Sequence, residues 1–313
     1  MNYVKIFNNV ITKTKHLIQS KDYHVAYSMG NSFSRSRKLS FQQMIYYILK
    51  QSKNSLAANI SAMKFDFPEM DFPFISRQAL SKARQNISPE AIKELFRLSV
   101  NCFYSNIDKS ALWNGYHIFA IDGSTLQIPF SKENMQEFGT NPNQYDMDSA
   151  LASASICYDV MNDIVTDTKI SPYRQDERAI ACQHMDELLM LELKKPTILL
   201  MDRGYPSYDL FHKMINNNLF FLVRLPSSFK KLIHTEIEDC IINYQQRPKK
   251  ELLKLRAVHF ALPDGRIEYL ATNLLQNSFT LEVFKELYFL RWGIMLISAL
   301  FPLCLLFINA DFL

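Results

Sequence analysis

The fold is decided by HIFAIDG at residues 117–123 and TILLMDRG at residues 197–204. Each stretch is a mostly apolar run that ends in an aspartate, with a glycine one or two residues later. Runs of this kind are typical of strands that are buried on both faces of a central sheet. Asp122 and Asp202 are therefore expected at strand ends, where an open α/β sheet carries its chemistry.

Two aspartates in such positions predict a metal site that cleaves phosphodiesters. In phosphodiester transfer, two divalent ions about 3.5–4 Å apart activate the attacking oxygen and neutralise the leaving oxygen. Hard ions such as Mg²⁺ take oxygen ligands, so these sites use Asp and Glu rather than His and Cys. Asp122 and Asp202 are 80 residues apart, but adjacent central strands would bring them together. From these residues alone, the alternative that both are structural turn residues stays open.

The composition argues against several other classes of protein. With 313 residues and 48% hydrophobic content, the chain is long enough for a large core and for two or three units. Neither GxGxxG nor GxxxxGK[ST] occurs, and seven glycines are few for this length. The five cysteines show no CxxC and no paired spacing, which indicates a reducing compartment rather than a disulfide framework or a zinc knuckle. No signal-peptide pattern is present at the N-terminus, and we expect a cytoplasmic protein.

The net charge of +4 is unevenly distributed along the chain. Residues 1–60 hold nine Lys or Arg and one acid, Asp22, so they carry a net +8 and the remainder carries −4. A basic N-terminal part in front of a mildly acidic body indicates contact with a polyanion. An ordinary solvated basic face is the alternative. The densest basic stretch is FSRSRKLSF at residues 33–41, and its candidate phosphate contacts are Arg35, Arg37 and Lys38.

Hydrophobic periodicity divides the chain into four parts. Residues 1–112 are predicted to be helical, with Ser40, Ser76 and Ser88 as helix caps. The other three parts are a mixed α/β core (residues 113–224), a β-rich insert (225–275) and a terminal helix region with an apolar tail (276–313).

The core part is expected to begin with strands in series. Residues 117–121 and 125–128 are predicted as two strands joined by a tight turn at residues 122–124. The elements expected next are strands at 151–160 and 164–170, a charged helix at roughly 176–193, and the TILLMD strand. This order is typical of a mixed α/β sheet. His184, two residues after Cys182, is interpreted as part of a helix-surface pair rather than a metal site.

A second basic stretch lies in the insert. Residues 263–265, Pro-Asp-Gly, predict a hairpin between alternating segments. Just before it, a single acid, Glu251, is opposed by Arg247, Lys249, Lys250, Lys254 and Arg256. The stretch is a second candidate polyanion surface, and Lys249 and Lys250 are its candidate DNA contacts. A charged edge strand protected from aggregation is the alternative.

Several of these motifs together resemble a known family. The segments IDGSTLQIP (121–129), LLMDRGYPSYDLF (199–211) and YFLRW (288–292) are similar to the three signature regions of the bacterial DDE transposases of the insertion-sequence-four group. FSRSRKLSF and residues 76–96 are similar to that group's N-terminal region. The likeness therefore extends over nearly the whole chain up to Trp292.

The resemblance implies a ribonuclease H-like catalytic core, an all-helical N-terminal DNA-binding region and a β-rich insert before the last catalytic helix. It also implies cut-and-paste movement of a DNA element, with Mg²⁺ or Mn²⁺ as the working ion. The implied partners are the terminal inverted repeats and target DNA, and synapsis of two ends suggests a homodimer. By position, Asp122 and Asp202 match the first two catalytic, metal-binding aspartates. Arg203 and Tyr205 are implied to contact DNA near the cleavage point.

The third signature region departs from the family pattern of Tyr, two residues, Arg, three residues, Glu, six residues, Lys. Tyr288 and Arg291 match the first two catalytic positions, but the glutamate falls on Met295 and the lysine on Pro302. Positions 288, 291 and 295 share one helix face, so a glutamate there would reach the metals. Methionine does not coordinate a hard cation in this way.

The matching sequence stops at Ile294, and an apolar tail continues to Leu313. We interpret the chain as a frameshifted or truncated family member that binds DNA and has lost most of its strand-transfer activity. The alternatives are a non-catalytic remnant or inhibitor and a metal-dependent nuclease that acts without strand transfer. As a helix, residues 294–308 would span only about 22 Å, short of the roughly 30 Å hydrocarbon core, so a membrane anchor is not favoured.

Overall fold

The computed structural model describes residues 3–33, 39–50, 54–105, 112–141, 149–233 and 236–292. Contacts between Cα atoms divide the chain into two units. Of the described residues, 3–105 belong to the first unit and 112–292 to the second. The four-part domain division drawn from the sequence stays a prediction.

The described part of the first unit is helical, as predicted. Its α-helices are α1 (Tyr3–Gln19), α2 (Lys21–Tyr27), α3 (Phe41–Lys50), α4 (Leu56–Asp66), α5 (Arg77–Arg84) and α6 (Pro89–Tyr104), with a 3₁₀ turn at Pro68–Met70. Ser76 and Ser88 cap α5 and α6 by accepting backbone N–H groups of the first turn. Ser40 and Gln43 form a reciprocal capping box, in which each side chain accepts the other residue's backbone N–H. All three predicted caps are confirmed.

The described part of the second unit is built on one mixed sheet. Its strands are β1 (His117–Ile128), β2 (Thr140–Asn141), β3 (Ser149–Asp159), β4 (Ile164–Pro172), β5 (Thr197–Met201), β6 (Phe220–Arg224), β7 (Asp239–Tyr244), β8 (Leu253–Ala261) and β9 (Ile267–Thr272). The strand order is β2-β3-β1-β5-β6-β9-β8-β7, with β4 also on β3. The β1–β5 and β5–β6 pairs are parallel, and the other pairs are antiparallel. The predicted mixed α/β class is confirmed.

The described part of the second unit also contains helices. They are α7 (Lys132–Phe138), α8 (Glu177–Leu189), α9 (Tyr208–Asn216), α10 (Lys230–Ile233) and α11 (Leu281–Phe289), followed by a 3₁₀ turn at Leu290–Trp292. The two quoted apolar runs form the buried centre of the sheet, because every residue from 117 to 121 and from 197 to 201 is buried. Successive strand residues point to opposite faces, so unbroken burial means that both faces are covered.

The predicted turn at residues 122–124 is wrong. β1 is one continuous strand, and its antiparallel register with β3 runs without a break from Phe119, opposite Asp159, to Ile128, opposite Ala150. What ends at Ile121 is only the pairing with β5. The Asp-Gly-Ser sequence favours a turn locally, but the ladder with β3 keeps the chain extended.

The predicted insert extends the same sheet. β8 and β9 form the expected hairpin, and Gly265 in its turn has a φ of +82°, a conformation that glycine adopts without strain. β9 pairs with β6 and so joins the hairpin to the central strands. Arg256 is buried and makes a bidentate ion pair with Asp239, so its predicted place on a basic surface is wrong.

No helix in the described part of the chain is both long and apolar enough to cross a bilayer. The predicted apolar segment, residues 294–308, lies outside the described residues.

Replacing Thr272 with valine tests how the hairpin is joined to the core. The Thr272 hydroxyl is fully buried, donates to the Phe221 carbonyl oxygen and accepts the Leu274 N–H. Thr272→Val leaves both backbone groups without this partner, so we expect the free energy of unfolding to fall by about 1–3 kcal/mol in urea denaturation. Thr125→Val, at an exposed position of β1, is the control and should change it by less than about 0.5 kcal/mol. Equal changes in the two variants would contradict the assignment.

Candidate active site

Asp122 and Asp202 lie at the same edge of the central sheet. The parallel register of β1 and β5 ends with Ile121 opposite Met201, and each aspartate is the next residue. Neighbouring strands are about 4.8 Å apart, so this register puts the two aspartates side by side. Their metal-binding and catalytic roles stay predictions.

Both carboxylates accept a hydrogen bond from the following residue. The Gly123 N–H donates to Asp122, and the Arg203 N–H donates to Asp202 Oδ1 over 2.6 Å. Burial raises the pKa of the Asp122 carboxyl; Arg291 and the Gly123 N–H oppose the shift, and the charge of Asp202 adds to it. Asp122 is therefore partly desolvated, and the charge of Asp202 opposes its ionisation; a bound cation would relieve both costs.

A third parallel strand brings a cation to the same edge. Val223 of β6 pairs with Met201, and the next residue is Arg224. Its Nε lies 2.6 Å from Glu268 Oε1 of β9, while its Nη1 lies 3.9 Å from Asp202 Oδ1. The parallel registers of three adjacent strands thus bring Asp122, Asp202 and Arg224 to neighbouring positions.

Helix α8 brings a further carboxylate to the aspartates. Glu177 is its first residue, after the N-cap Asp176. A methyl group added at Gly204 would collide with Glu177 Oε2, and one added at Gly123 would lie 3.9 Å from its Oε1. Burial raises the pKa of Glu177, and the charges of Asp122 and Asp202 raise it further.

The terminal helix region contributes the two predicted residues Tyr288 and Arg291. Both are buried, with exposed fractions of 5% and 4%. Among the described residues, the Tyr288 hydroxyl and the Arg291 Nε have no hydrogen-bond partner. Arg291 opposes the burial-driven rise in the pKa of Asp122, and burial, with the charge of Asp202, raises the pKa of Tyr288. Buried donors without a protein acceptor at this edge are suited to an oxygen-rich ligand.

A buried hydrogen-bond network supports the backbone of Asp122. The Ser155 hydroxyl donates to the Asp122 carbonyl oxygen over 3.1 Å and lies 2.9 Å from His184 Nε2. His184 Nδ1 lies 2.7 Å from Asp167 Oδ2. His184 is fully buried, so its predicted position on the helix surface is wrong. A single histidine in an amphipathic helix gave no sign of its two distant partners.

The predicted DNA contacts fall into three groups. Arg203, Lys249 and Lys250 are exposed, and Lys250 Nζ lies 2.9 Å from Asp209 Oδ1. Tyr205 is only 2% exposed and lines a polar cavity beside Gly123, and its DNA contact stays a prediction. Three predicted DNA contacts, Arg35, Arg37 and Lys38, lie outside the described residues. The third-signature positions Met295 and Pro302 also lie outside them.

The donor set fits a hard divalent cation. The groups beside Asp122 are carboxylate oxygens, which Mg²⁺ and Mn²⁺ prefer. Within the described ranges, no group of three or more His, Cys, Asp or Glu already has the arrangement of a metal cage. A polar cavity of about 420 Å³ lies next to the carboxylates. Its lining includes Gly123, Ser124, Thr125, Arg174, Glu177 and Tyr205.

Residues 113–294 match the family model described as the transposase DDE domain, and this is more than half of the chain. The chain belongs to the transposase DDE domain family. The family match includes Asp122, Asp202, Tyr288 and Arg291.

Two curated proteins of Escherichia coli strain K12 are similar to the chain. Transposase InsG for insertion sequence element IS4 is 24% identical over 191 residues, which cover 58% of this chain and 41% of InsG. Putative transposase InsZ is 24% identical over 148 residues, which cover 45% of this chain and 46% of InsZ. The matches thus span less than half the length of these curated relatives.

A solved structure has a similar fold. The piggyBac transposase, in its synaptic complex with hairpin DNA, matches with a TM-score of 0.50 and 9% identity over 93% of this chain and 68% of that chain. At this identity the likeness concerns the fold alone. Together with the mixed sheet, it confirms the predicted ribonuclease H-like fold class.

The sequence interpretation missed Glu177 and Arg224. Arg224 ends the apolar run FFLVR in the same way that Asp122 and Asp202 end theirs, and this signal was available. Glu177 had no such signal, because its place at the site depends on how α8 packs.

Removing the His184 ring tests the buried network. In His184→Leu, Ser155 and Asp167 lose a buried partner, and we expect the free energy of unfolding to fall by about 2–4 kcal/mol in urea denaturation. His16→Leu, at an exposed position of α1, is the matched control and should change it by less than about 0.5 kcal/mol. A His184 variant as stable as its control would show that the network adds nothing.

Proposed function

We propose that the chain is a DDE-type transposase that binds the ends of an insertion element and catalyses metal-dependent DNA cleavage and strand transfer. The observation that carries this proposal is the β1–β5 register, which sets Asp122 beside Asp202 in a chain of the transposase DDE family. Carboxylates paired side by side on a ribonuclease H-like sheet suit phosphodiester chemistry.

Asp122 and Asp202 would hold a divalent cation, Mg²⁺ or Mn²⁺. When bound, the cation activates the attacking oxygen and neutralises charge on the scissile phosphate. The two backbone N–H groups that already bind these carboxylates orient them, and the Gly123 N–H opposes the burial-driven rise in the pKa of Asp122. Arg224 balances part of the charge from the β6 side.

Tyr288 and Arg291 would position the phosphate. The Arg291 guanidinium lies 5.5 Å from the Tyr288 ring centre and 5.3 Å from that of Trp292, and these contacts restrict its orientation. The unpartnered Tyr288 hydroxyl and Arg291 Nε have hydrogens to donate to phosphate oxygens.

Loss of the third carboxylate would impair this chemistry. The family glutamate falls on Met295, whose thioether is a soft, weak ligand for Mg²⁺. The same observation favours a second candidate function, a non-catalytic remnant that binds element ends or inhibits an intact transposase.

DNA binding is proposed for the basic surfaces. The first contacts are Arg35, Arg37 and Lys38 in the basic N-terminal part. Arg203, Lys249 and Lys250 supply exposed cations in the second unit. A homodimer that holds two element ends completes the proposal.

Cleavage of DNA fragments that carry the inverted repeats bordering the gene tests the metal pair. With Mg²⁺ or Mn²⁺, Asp122→Asn and Asp202→Asn should each lower residual cleavage about 100-fold or more, as expected for loss of an electrostatic stabiliser. Asp186→Asn, at an exposed position of α8, is the control and should cleave like the parent chain.

Parental cleavage by Asp122→Asn would overturn the proposed metal pair. Met295→Glu separates the two candidate functions: increased cleavage supports an impaired enzyme, and binding without any cleavage in either form supports the remnant.

The salt dependence of DNA affinity tests the N-terminal cations. Each lost phosphate contact lowers the slope of log K against log salt by about 0.9, so a triple glutamine variant should lose roughly 2.7. The variant is Arg35→Gln, Arg37→Gln and Lys38→Gln. The control of equal charge, at exposed positions of α1 and α2, is Lys13→Gln, Lys15→Gln and Lys21→Gln. The same slope in both triple variants would reduce the proposal to a general effect of net charge.

A further inference from the structure

Glu177 stands between the two segments that follow the aspartates. Its Oε2 occupies the space that a side chain at Gly204 would need, and its Oε1 faces Gly123. Arg178 Nε lies 3.5 Å from the Gly204 carbonyl oxygen and so ties the start of α8 to the segment after β5. The closeness of Glu177 to both segments therefore follows from the packing of α8.

Glu177 differs from Glu268, a second glutamate near the two aspartates. Glu268 is 4% exposed and is neutralised by Arg224 Nε at 2.6 Å. Glu177 is solvent-accessible, and no ion pair between described residues includes it. Of these two glutamates, Glu177 is the one whose charge is left for an external cation.

A separate observation indicates that this edge takes a ligand. Tyr288 and Arg291 are more than nine-tenths buried, and the Tyr288 hydroxyl and the Arg291 Nε have no hydrogen-bond partner among the described residues. Arg291 interacts electrostatically with Asp122, and Tyr288 with Asp202. In addition, Glu177 lines the polar cavity of about 420 Å³ beside Gly123. The acidic cluster therefore lies next to unsatisfied donors and open polar space.

We propose that Glu177 is a third carboxylate ligand of the divalent cation held by Asp122 and Asp202. The proposal rests on the metal pair of the proposed function and extends it to a residue outside the three signature regions. The described carboxylates do not already form a metal cage, and rotation of the long Glu177 side chain would bring its oxygens to the aspartates. Cation binding then survives in a chain with methionine at position 295, even where strand transfer is impaired.

Calorimetric titration of the purified full chain with MnCl₂ tests the proposal without any activity assay. Glu177→Gln keeps the shape and removes the charge, and it should weaken Mn²⁺ affinity about tenfold or more, since outer-shell partners alone account for about 10- to 100-fold. Asp186→Asn removes one exposed charge from the same helix, about 13 Å along its axis, and should stay within about twofold.

Gly204→Ala keeps every charge and serves as the second variant. Its methyl group displaces the Glu177 carboxylate, so affinity should fall although the net charge is unchanged. Circular dichroism spectra that match the parent chain establish that each variant is folded.

The outcomes separate the two proposals. Parental Mn²⁺ affinity in Glu177→Gln, with affinity lost in Asp122→Asn, overturns the role of Glu177 and leaves the metal pair intact. Parental affinity in Asp122→Asn as well overturns the metal pair itself. Equal losses in Glu177→Gln and Asp186→Asn reduce the effect to net charge and also overturn the assignment.

Discussion

The parallel pairing of β1 with β5 is the constraint on which the site depends. It fixes Ile121 opposite Met201, and the two aspartates follow from that register. Side chains alternate along a strand, so a slip of one residue would turn one carboxylate to the other face of the sheet. The fully buried residues 118–121 and 198–201 hold the register, because a slip would expose apolar surface on both strands.

The charges at this edge are arranged at a cost to stability. Asp122, Asp202 and Glu177 repel one another, and the opposing guanidinium groups lie to the β6 side and on the terminal helix region. Such a cluster is tolerated where function needs it and is balanced by the apolar core beneath it. The buried network from Ser155 through His184 to Asp167 then fixes the backbone that carries Asp122.

Much of the fold could be predicted from the sequence, because local patterns determine it. Serine caps predicted the helix starts, and apolar runs ending in aspartate predicted the central strands. The turn at residues 122–124 was wrong because long-range pairing with β3 overrides the local turn preference of Asp-Gly-Ser. His184 and Glu177 were misread or missed for a related reason: their partners are distant in sequence and meet them only through packing of α8. The positions of Asp122 and Asp202 could be predicted because each directly follows the buried apolar run that pairs β1 with β5, although β1 itself continues past Asp122.

The continuity of β1 past Asp122 makes the two sides of the site unequal. Beyond Ile121, β1 keeps its ladder with β3, whereas its neighbour β5 ends and the chain turns away. A notch therefore opens in the sheet beyond the last paired residues of β1 and β5, Ile121 and Met201. One wall of the notch is a strand held along its length, and the other is the short segment from Asp202 to Tyr205. The two walls are consequently held in different ways: the first by the ladder with β3, and the second by the Arg203 N–H bond to Asp202 and the Arg178 contact with the Gly204 carbonyl oxygen.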